Sequence, residues 1–151
     1  MDNSGIVSIR KIDKNDKTLF MDFVNVFYNS DAVIAPVPDE YHEKAFDELL
    51  RGETYQEGYI LEYGGQPSGY ALLSKTFSQE AGGMVVWLEE LFVTQEFRGK
   101  GIGSTFFDYM CENIPAVRYR LEVEPDNKRA IALYERKGFE ILPYMQMKKG
   151  H

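Results

Sequence analysis

The stretch Arg98-Gly99-Lys100-Gly101-Ile102-Gly103-Ser104 carries three glycines at alternate positions and leads directly into an apolar segment with helical spacing. Glycine adopts positive φ without strain, so it lets backbone N–H groups approach a ligand closely. The unpaired amides and the positive dipole end of the following helix favour a phosphate. The stretch therefore predicts a phosphate-binding turn to which Arg98 and Lys100 add charge. The alternative is a tight structural turn with solvated cations.

Two common nucleotide-binding patterns do not match this turn. The Walker pattern needs Gly-Lys followed by Ser or Thr, whereas Lys100 is followed by Gly101. The dinucleotide pattern Gly-x-Gly-x-x-Gly is not matched either, because the glycines here recur too regularly. Neither class of nucleotide-binding protein is indicated.

The hydrophobic periodicity on both sides of the turn predicts a mixed α/β or α+β sheet covered by helices. Residues 84–93 form a long strand that is apolar on both faces except at Glu89 and Glu90, which is typical of a central strand. The strands predicted along the chain are 7–12, 58–63, 68–77, 84–93, 117–124, 139–142 and 143–148, and the helices are 15–29, 39–50, 102–114 and 127–137.

Composition and charge narrow the classes of function. The 151 residues are typical of one domain, so we expect 1–151 to form a single domain. The formal net charge of −7 argues against nucleic-acid binding, which needs clustered cations. No apolar run approaches the length of a membrane span, and no secretory signal is recognisable at the N-terminus. We therefore expect a cytoplasmic protein without nucleic-acid or membrane partners. A homodimer is compatible with the sequence.

The single cysteine and the two histidines argue against a disulfide, a metal site and histidine-based catalysis. Cys111 is the single cysteine, so no internal disulfide forms, and we expect this side chain to be buried in a helix. His42 and His151 are the only histidines. A metal site or a histidine-based nucleophile relay is therefore not expected.

Three blocks of the sequence resemble the GNAT superfamily of N-acetyltransferases. The family's acetyl-CoA signature is Arg or Gln, two residues, Gly, one residue, then Gly or Ala, and residues 98–103 match it. Residues 88–93 look like the family's central strand, and 127–139 resemble its second motif. The blocks have the family's order and separation, while residues before about position 80 match in predicted architecture only. The resemblance implies a GNAT-like mixed, mostly antiparallel central sheet with a splayed strand pair, flanked by about four helices.

The resemblance also implies an acetyl-CoA site. The pantetheine arm would lie between strands 84–93 and 117–124 and pair with backbone groups of Leu91 and Val93. The pyrophosphate would bind to amides of 99–104. Asn127 would contact the arm, and it also fits the role of a helix cap. The cofactor-binding residues so expected are Leu91, Phe92, Val93, Arg98, Gly99, Lys100, Gly101, Ile102, Gly103, Ser104, Asn127, Ala130 and Tyr134.

The two glutamates of the central strand are candidates for the proton acceptor. An alkylammonium has a pKa near 10, so a carboxylate is needed to take its proton at neutral pH. Adjacent strand residues face opposite ways, so we expect only one to reach the acceptor. In polyamine-acetylating members of the family the first acidic residue contacts the substrate, which favours Glu89 over Glu90. The structural alternative is that both glutamates pair with Arg118 or Arg120.

Tyr134 lies two helical turns after Asn127 and on the same face. The family uses a tyrosine there to protonate the departing thiolate, and the alternative is a core tyrosine. Phe27 and Tyr28 belong to an aromatic cluster that is expected to form part of the core and the wall of the acceptor site. Together with Glu89 they are the residues expected to bind the acceptor. The expected activity is transfer of acetyl from acetyl-CoA to a small primary amine, directly in a ternary complex. The alternative is a non-catalytic acyl-CoA-binding sensor or scaffold.

Overall fold

A computed structural model, which describes residues 5–151, contains five strands and four α-helices in that part of the chain. Up to residue 136 their order is the one predicted from periodicity. In chain order they are β1 (Val7–Lys11), α1 (Lys17–Tyr28), α2 (Asp39–Arg51), β2 (Gln56–Tyr63), β3 (Gln66–Ser78), β4 (Gly83–Val93), α3 (Ile102–Asn113), β5 (Arg118–Leu121) and α4 (Lys128–Arg136).

The strands form one sheet in the order β1-β2-β3-β4-β5. The first three pairings are antiparallel, and β4 pairs with β5 in parallel. This last pairing covers only Val85–Leu88 against Arg118–Leu121, so the rest of β4 has no partner on that side. The predicted mixed, mostly antiparallel sheet with a splayed strand pair is confirmed.

Two apolar layers cover the sheet, one on each face. On one face the side chains of Tyr59, Leu73 and Leu88 pack with Phe106 and Phe107 of α3, and α4 joins this layer. On the other face the buried residues come from α1, α2 and the alternate positions of the strands, and they are Phe20, Phe23, Val24, Phe46, Ile60, Tyr70, Leu72 and Phe92. Burying each large apolar side chain contributes about 1.5–3 kcal/mol, so both layers hold the sheet rigidly between the helices.

A β-bulge in β4 changes which residues face each layer. Leu72 pairs with Glu90 whereas Leu73 pairs with Leu88, so Glu89 is an extra residue in the ladder. Before the bulge Leu88 packs on the α3 face, and after it Leu91 packs there as well. The expectation that the two adjacent glutamates face opposite ways is therefore wrong, because the bulge interrupts the alternation.

β5 is shorter than the predicted strand 117–124. It ends at Leu121, which pairs with Leu88, because β4 turns away from it at the bulge. Apolar and charged residues alternate in this segment, and Tyr119 and Leu121 pack on the α3 face, whereas Val117 is 60% exposed. The alternation is thus realised in the middle of the segment, while pairing with β4 sets its length.

The two strands predicted at 139–142 and 143–148 are not formed. Residues 139–151 have no regular secondary structure, and Ile141, Met145 and Met147 are 82%, 92% and 95% exposed. Phe139 packs against the α3 face, and the Tyr144 hydroxyl lies 3.1 Å from Glu80 Oε2. The segment forms no ladder with the free outer edge of β5, the last strand of the sheet, and an alternating pattern without such pairing does not make a strand. Pro143 also has no N–H group to donate to a ladder.

The prediction of a buried Cys111 is also wrong. The side chain is exposed because it lies outside the buried stripe of α3 that contains Phe106 and Met110. Partial desolvation, with Asp108 and Glu112 nearby, raises the pKa of the thiol, which does not favour a nucleophilic thiolate. In the part of the chain that the structure describes, no helix is long and apolar enough to cross a membrane.

Candidate active site

The glycine turn leaves the start of α3 open. Gly99 and Gly101 both have φ of +78°, and nothing lies within 4 Å of where a Cβ would be placed on either. No side chain caps the helix, and the Thr105 N–H bonds to the Gly101 carbonyl at 2.9 Å. The amides of residues 102–104 therefore have no partner within the helix. These donors and the open space beside them fit a pyrophosphate.

Gly103 plays a different part from the other two glycines. Its φ is not in the left-handed region, and a Cβ there would lie 3.6 Å from Leu91 Cδ2, an ordinary van der Waals contact. Alanine would therefore fit at this position. Close packing of α3 against β4, and not backbone freedom, selects a small residue here.

The two cations of the turn contact the neighbouring strands. Arg98 Nε donates to the Val93 carbonyl at 3.1 Å, and Lys100 Nζ lies 5.4 Å from the centre of the Tyr63 ring. Arg98 is therefore tied to the end of β4, and Lys100 to β2. Both side chains are exposed and lie at the rim of the turn.

The end of β4 presents backbone groups to the gap beside β5. The Thr94 N–H donates to the Ser68 carbonyl at 2.8 Å, so Thr94 and Phe92 are hydrogen-bonded positions of the ladder with β3. Alternation then directs the N–H and C=O groups of Leu91 and Val93 to the other side, where β5 has already ended. Phe92 has its backbone toward β3 and its side chain in the α1 layer, so it does not line the gap.

The predicted residues of α4 lie on the α3 face of the sheet. Asn127 Oδ1 accepts from the Ala130 N–H at 3.1 Å, so the side chain caps this helix. The Tyr134 ring packs 5.4 Å from the Phe107 ring and 6.2 Å from the Phe139 ring, centre to centre. Burial raises the pKa of Tyr134. Its hydroxyl makes no hydrogen bond to any protein atom of residues 5–151.

Glu90 is partly buried on the opposite face, against α1. Its Oε2 accepts from the Tyr28 hydroxyl at 2.5 Å, and its Oε1 accepts from the Tyr70 hydroxyl at 2.7 Å. Burial raises the pKa of Glu90, although the two hydrogen bonds oppose the rise. Burial also raises the pKa of both tyrosines, and the glutamate adds to this effect.

Glu89 lies on the same face and is the accessible member of the pair. It is exposed, and its Oε1 accepts from the Ser74 hydroxyl at 2.5 Å. Within the described residues neither glutamate forms an ion pair with Arg118 or Arg120, so the structural alternative of such pairing is not found. The bulge therefore brings two carboxylates to one face, next to the open edge of β4.

This arrangement agrees with what comparison with known proteins finds. The model of the acetyltransferase (GNAT) family matches residues 19–139. The chain belongs to the GNAT family. It is an N-acetyltransferase, and members of this family use acetyl-CoA to acetylate amines.

Individual relatives and one solved structure are similar over much of the chain. The uncharacterized N-acetyltransferase YhfO of Bacillus subtilis is 32% identical over 72% of this chain and 83% of its own length. The spermine/spermidine N(1)-acetyltransferase of the same bacterium is 29% identical over 57% of this chain and 60% of its own. The structure of AAC(6')-Iy with the bisubstrate analog CoA-S-monomethyl-acetylneamine shares the fold, with a TM-score of 0.79, 18% identity, and coverage of 97% and 99%.

Sequence analysis of this GNAT protein missed two residues on the α1 face of the sheet, which are Tyr70 and His42. Tyr70 was assigned to a strand, but nothing in its neighbourhood indicated a bond to Glu90. His42 is only 5% exposed, and its ring lies 4.6 Å from the Tyr28 ring. A signal for His42 was present, because it falls at helical spacing with Phe46 and Leu49 of the buried stripe. The predicted wall residues Phe27 and Tyr28 do lie on this face.

Proposed function

We propose that this chain transfers the acetyl group of acetyl-CoA directly to a small primary amine, in a ternary complex without a covalent enzyme intermediate. The proposal rests mainly on one observation, that the pairing of β4 with β5 ends at Leu88. The following residues, 89–104, contain an open strand edge, the two carboxylates of Glu89 and Glu90 and the uncapped start of α3. The name of the spermine/spermidine relative and the acetylneamine analog bound to AAC(6')-Iy support a small cationic acceptor.

Backbone groups hold the acetyl donor in this proposal. Acetyl-CoA supplies the thioester whose acetyl group is transferred. Amides of residues 99–104 bind the pyrophosphate, assisted by the dipole of α3. The Leu91 carbonyl and the Val93 N–H pair with the pantetheine arm, because the Val93 carbonyl already accepts from Arg98 Nε. Arg98 and Lys100 add positive charge at the rim, and Asn127 and Ala130 border the arm at the start of α4.

Glu89 acts as the proton acceptor. An ammonium acceptor is attracted to the acidic pair and must lose a proton before its nitrogen can attack. Glu89 is the exposed carboxylate with a single hydrogen-bond donor, so it is free to bind the amine directly or through water. Glu90 supports it as a second negative charge whose position is fixed by Tyr28 and Tyr70.

Two further groups act during transfer. The N–H of Leu91 faces the gap and donates to the acetyl oxygen as negative charge develops there. Tyr134 donates its hydroxyl proton to the departing thiolate, for which its unpaired hydroxyl is available.

The homodimer, the cytoplasmic location, the single domain and the lack of nucleic-acid partners remain predictions from the sequence.

Binding of acetyl-CoA tests this site with a matched pair of glycine substitutions. Gly101→Ala and Gly82→Ala both place a side chain at a φ near +80°, in open surroundings. Each should lower the free energy of unfolding by about 1–2 kcal/mol. Acetyl-CoA should raise the Tm of the wild type and of Gly82→Ala in a concentration-dependent way, because it binds the folded state. This rise should be lost in Gly101→Ala.

A wild-type protein whose Tm does not respond to acetyl-CoA well above micromolar concentration would overturn the proposal. Equal Tm responses of the two glycine variants would show that the pyrophosphate does not bind at this turn. Turnover is then measured as release of coenzyme A with a panel of amines, which separates an acetyltransferase from a binding module.

A further inference from the structure

Arg120 is a positioned cation without an anionic partner. Its Cζ lies 4.2 Å from the centre of the Trp87 ring, and Trp87 is its direct partner in the β4–β5 register. A guanidinium stacked on an indole keeps the N–H groups at its edge available. Within residues 5–151 Arg120 forms neither an ion pair nor a side-chain hydrogen bond.

Of the two arginines in β5, only Arg120 has no hydrogen-bonding partner for its guanidinium within the described residues. Arg118, two residues earlier, donates to Glu80 Oε1 at 3.1 Å, and Tyr144 donates to Glu80 Oε2. These two hydrogen bonds lower the pKa of Glu80, and the charge of Arg120 adds a smaller effect. Glu80 is therefore bonded to Arg118 and Tyr144 and not to Arg120, so the Arg120 fork is left for another anion.

Arg120 faces the same side of the sheet as the acidic pair. Its neighbours Tyr119 and Leu121 pack on the α3 face, so alternation directs Arg120 to the α1 face. Trp87 and Glu89 lie on that face too, two residues apart, which separates their Cα atoms by roughly 7 Å. The acceptor face thus has a negative end at Glu89 and a positive end at Arg120.

We propose that the acceptor carries a carboxylate as well as its primary amine, and that Arg120 binds this carboxylate. The inference rests on the proposed function, because it concerns the acceptor of the same site. An amino acid with a side-chain amine satisfies both ends: its ammonium lies at Glu89 and its carboxylate accepts from the guanidinium fork. A diamine places a second cation near Arg120, where like charges repel.

L-lysine and cadaverine test this inference, because cadaverine is lysine without the carboxylate. The wild type should show a higher kcat/KM for lysine and should form the side-chain acetyl product, identified by mass spectrometry. Arg120→Gln should lower kcat/KM for lysine by about 10- to 100-fold, the usual effect of losing a charged hydrogen bond. The loss should lie mainly in KM, because the carboxylate is bound before and during the reaction alike.

The control variant is Arg118→Gln, which removes a cation of the same strand that is already paired with Glu80. It should keep the wild-type ratio of lysine to cadaverine, and both variants should keep the Tm response to acetyl-CoA. Arg120→Gln should leave cadaverine turnover unchanged or raise it.

A wild type that prefers cadaverine, or that acetylates only amines without a carboxylate, would overturn this inference and leave the proposed function intact. An equal loss for both amines in Arg120→Gln would do the same. Absence of acetyl-CoA binding would instead overturn the proposed function, and this inference with it. The wild-type ratio needs no substitution, so a variant that fails to fold does not block the test.

Discussion

The two faces of β4 are built in different ways. Toward α3 and the gap beside β5, the proposed acetyl-CoA site consists of backbone groups of Leu91 and Val93 and of the turn that follows, within one short stretch. On the α1 face, the proposed acceptor site is assembled from side chains of four elements far apart in sequence: Tyr28, His42, Tyr70 and Glu90. A backbone site leaves a local motif, whereas a side-chain site depends on packing. We therefore expect side-chain substitutions on the α1 face to lower turnover without loss of acetyl-CoA binding.

The largest effect should come from Glu89→Gln, on the acceptor face. The substitution keeps the shape and removes the charge, so it should lower kcat by roughly 10²- to 10⁴-fold, the usual contribution of a positioned acid–base group. The Tm response to acetyl-CoA should persist. The defect should shrink as pH rises, because more of the acceptor amine is then already deprotonated. Steady-state kinetics across pH measures this.

Glu140→Gln is the control, since it removes an exposed carboxylate of the C-terminal segment. It should behave as the wild type. Normal turnover in Glu89→Gln beside an inactive Glu90→Gln would show that the buried glutamate is the proton acceptor. Loss of acetyl-CoA binding in Glu89→Gln would break the proposed separation between the two faces.

A smaller effect is expected from Tyr134→Phe, on the cofactor face. A thiol of pKa near 8.5 leaves tolerably well without a proton, so turnover should fall by only about 10-fold when chemistry limits the rate. The ring and its packing on Phe107 remain. Calorimetric titration with acetyl-CoA should give a nearly unchanged Kd. Parallel losses of folding stability and affinity would instead assign the hydroxyl a structural role.

The smallest effect concerns the pH dependence of stability at Glu90. Because burial raises its pKa in the folded state, the protonated form stabilises the fold. That contribution is fully present below the ordinary carboxyl pKa and is lost as pH rises through the raised value. Relative to Glu90→Gln, the wild type should therefore lose free energy of unfolding as pH rises above the ordinary carboxyl pKa of about 4.3.

Urea unfolding at a series of pH values measures this difference, with Glu140→Gln as the exposed control. The control should follow the wild-type curve. Parallel curves for the wild type and Glu90→Gln would show that the two tyrosine hydrogen bonds fully compensate for burial.

Much of the fold could be predicted from periodicity, because apolar spacing directly reports which face of an element is buried. Strand lengths could not, since pairing sets them: β5 ends where its pairing with β4 ends, and the segment after Arg136 pairs with no strand. The glycine turn was recognisable because backbone conformation restricts the sequence locally. The orientation of Glu89 and Glu90 was not, because a bulge has no marker in an apolar strand such as β4.

The bulge at Glu89 inverts the parity of β4. Even-numbered side chains, Val86 and Leu88, face α3 before it, and odd-numbered ones, Leu91 and Val93, face α3 after it. A deletion of Glu89 would restore simple alternation, because Leu88, Glu90 and Leu91 would then face α3, α1 and α3 in turn. The later side chains would keep their present faces, but the strand would lose its exposed carboxylate together with the bulge. In the alignment of this chain with any other, a one-residue gap between 88 and 91 therefore marks a strand without the bulge and with one acidic residue fewer.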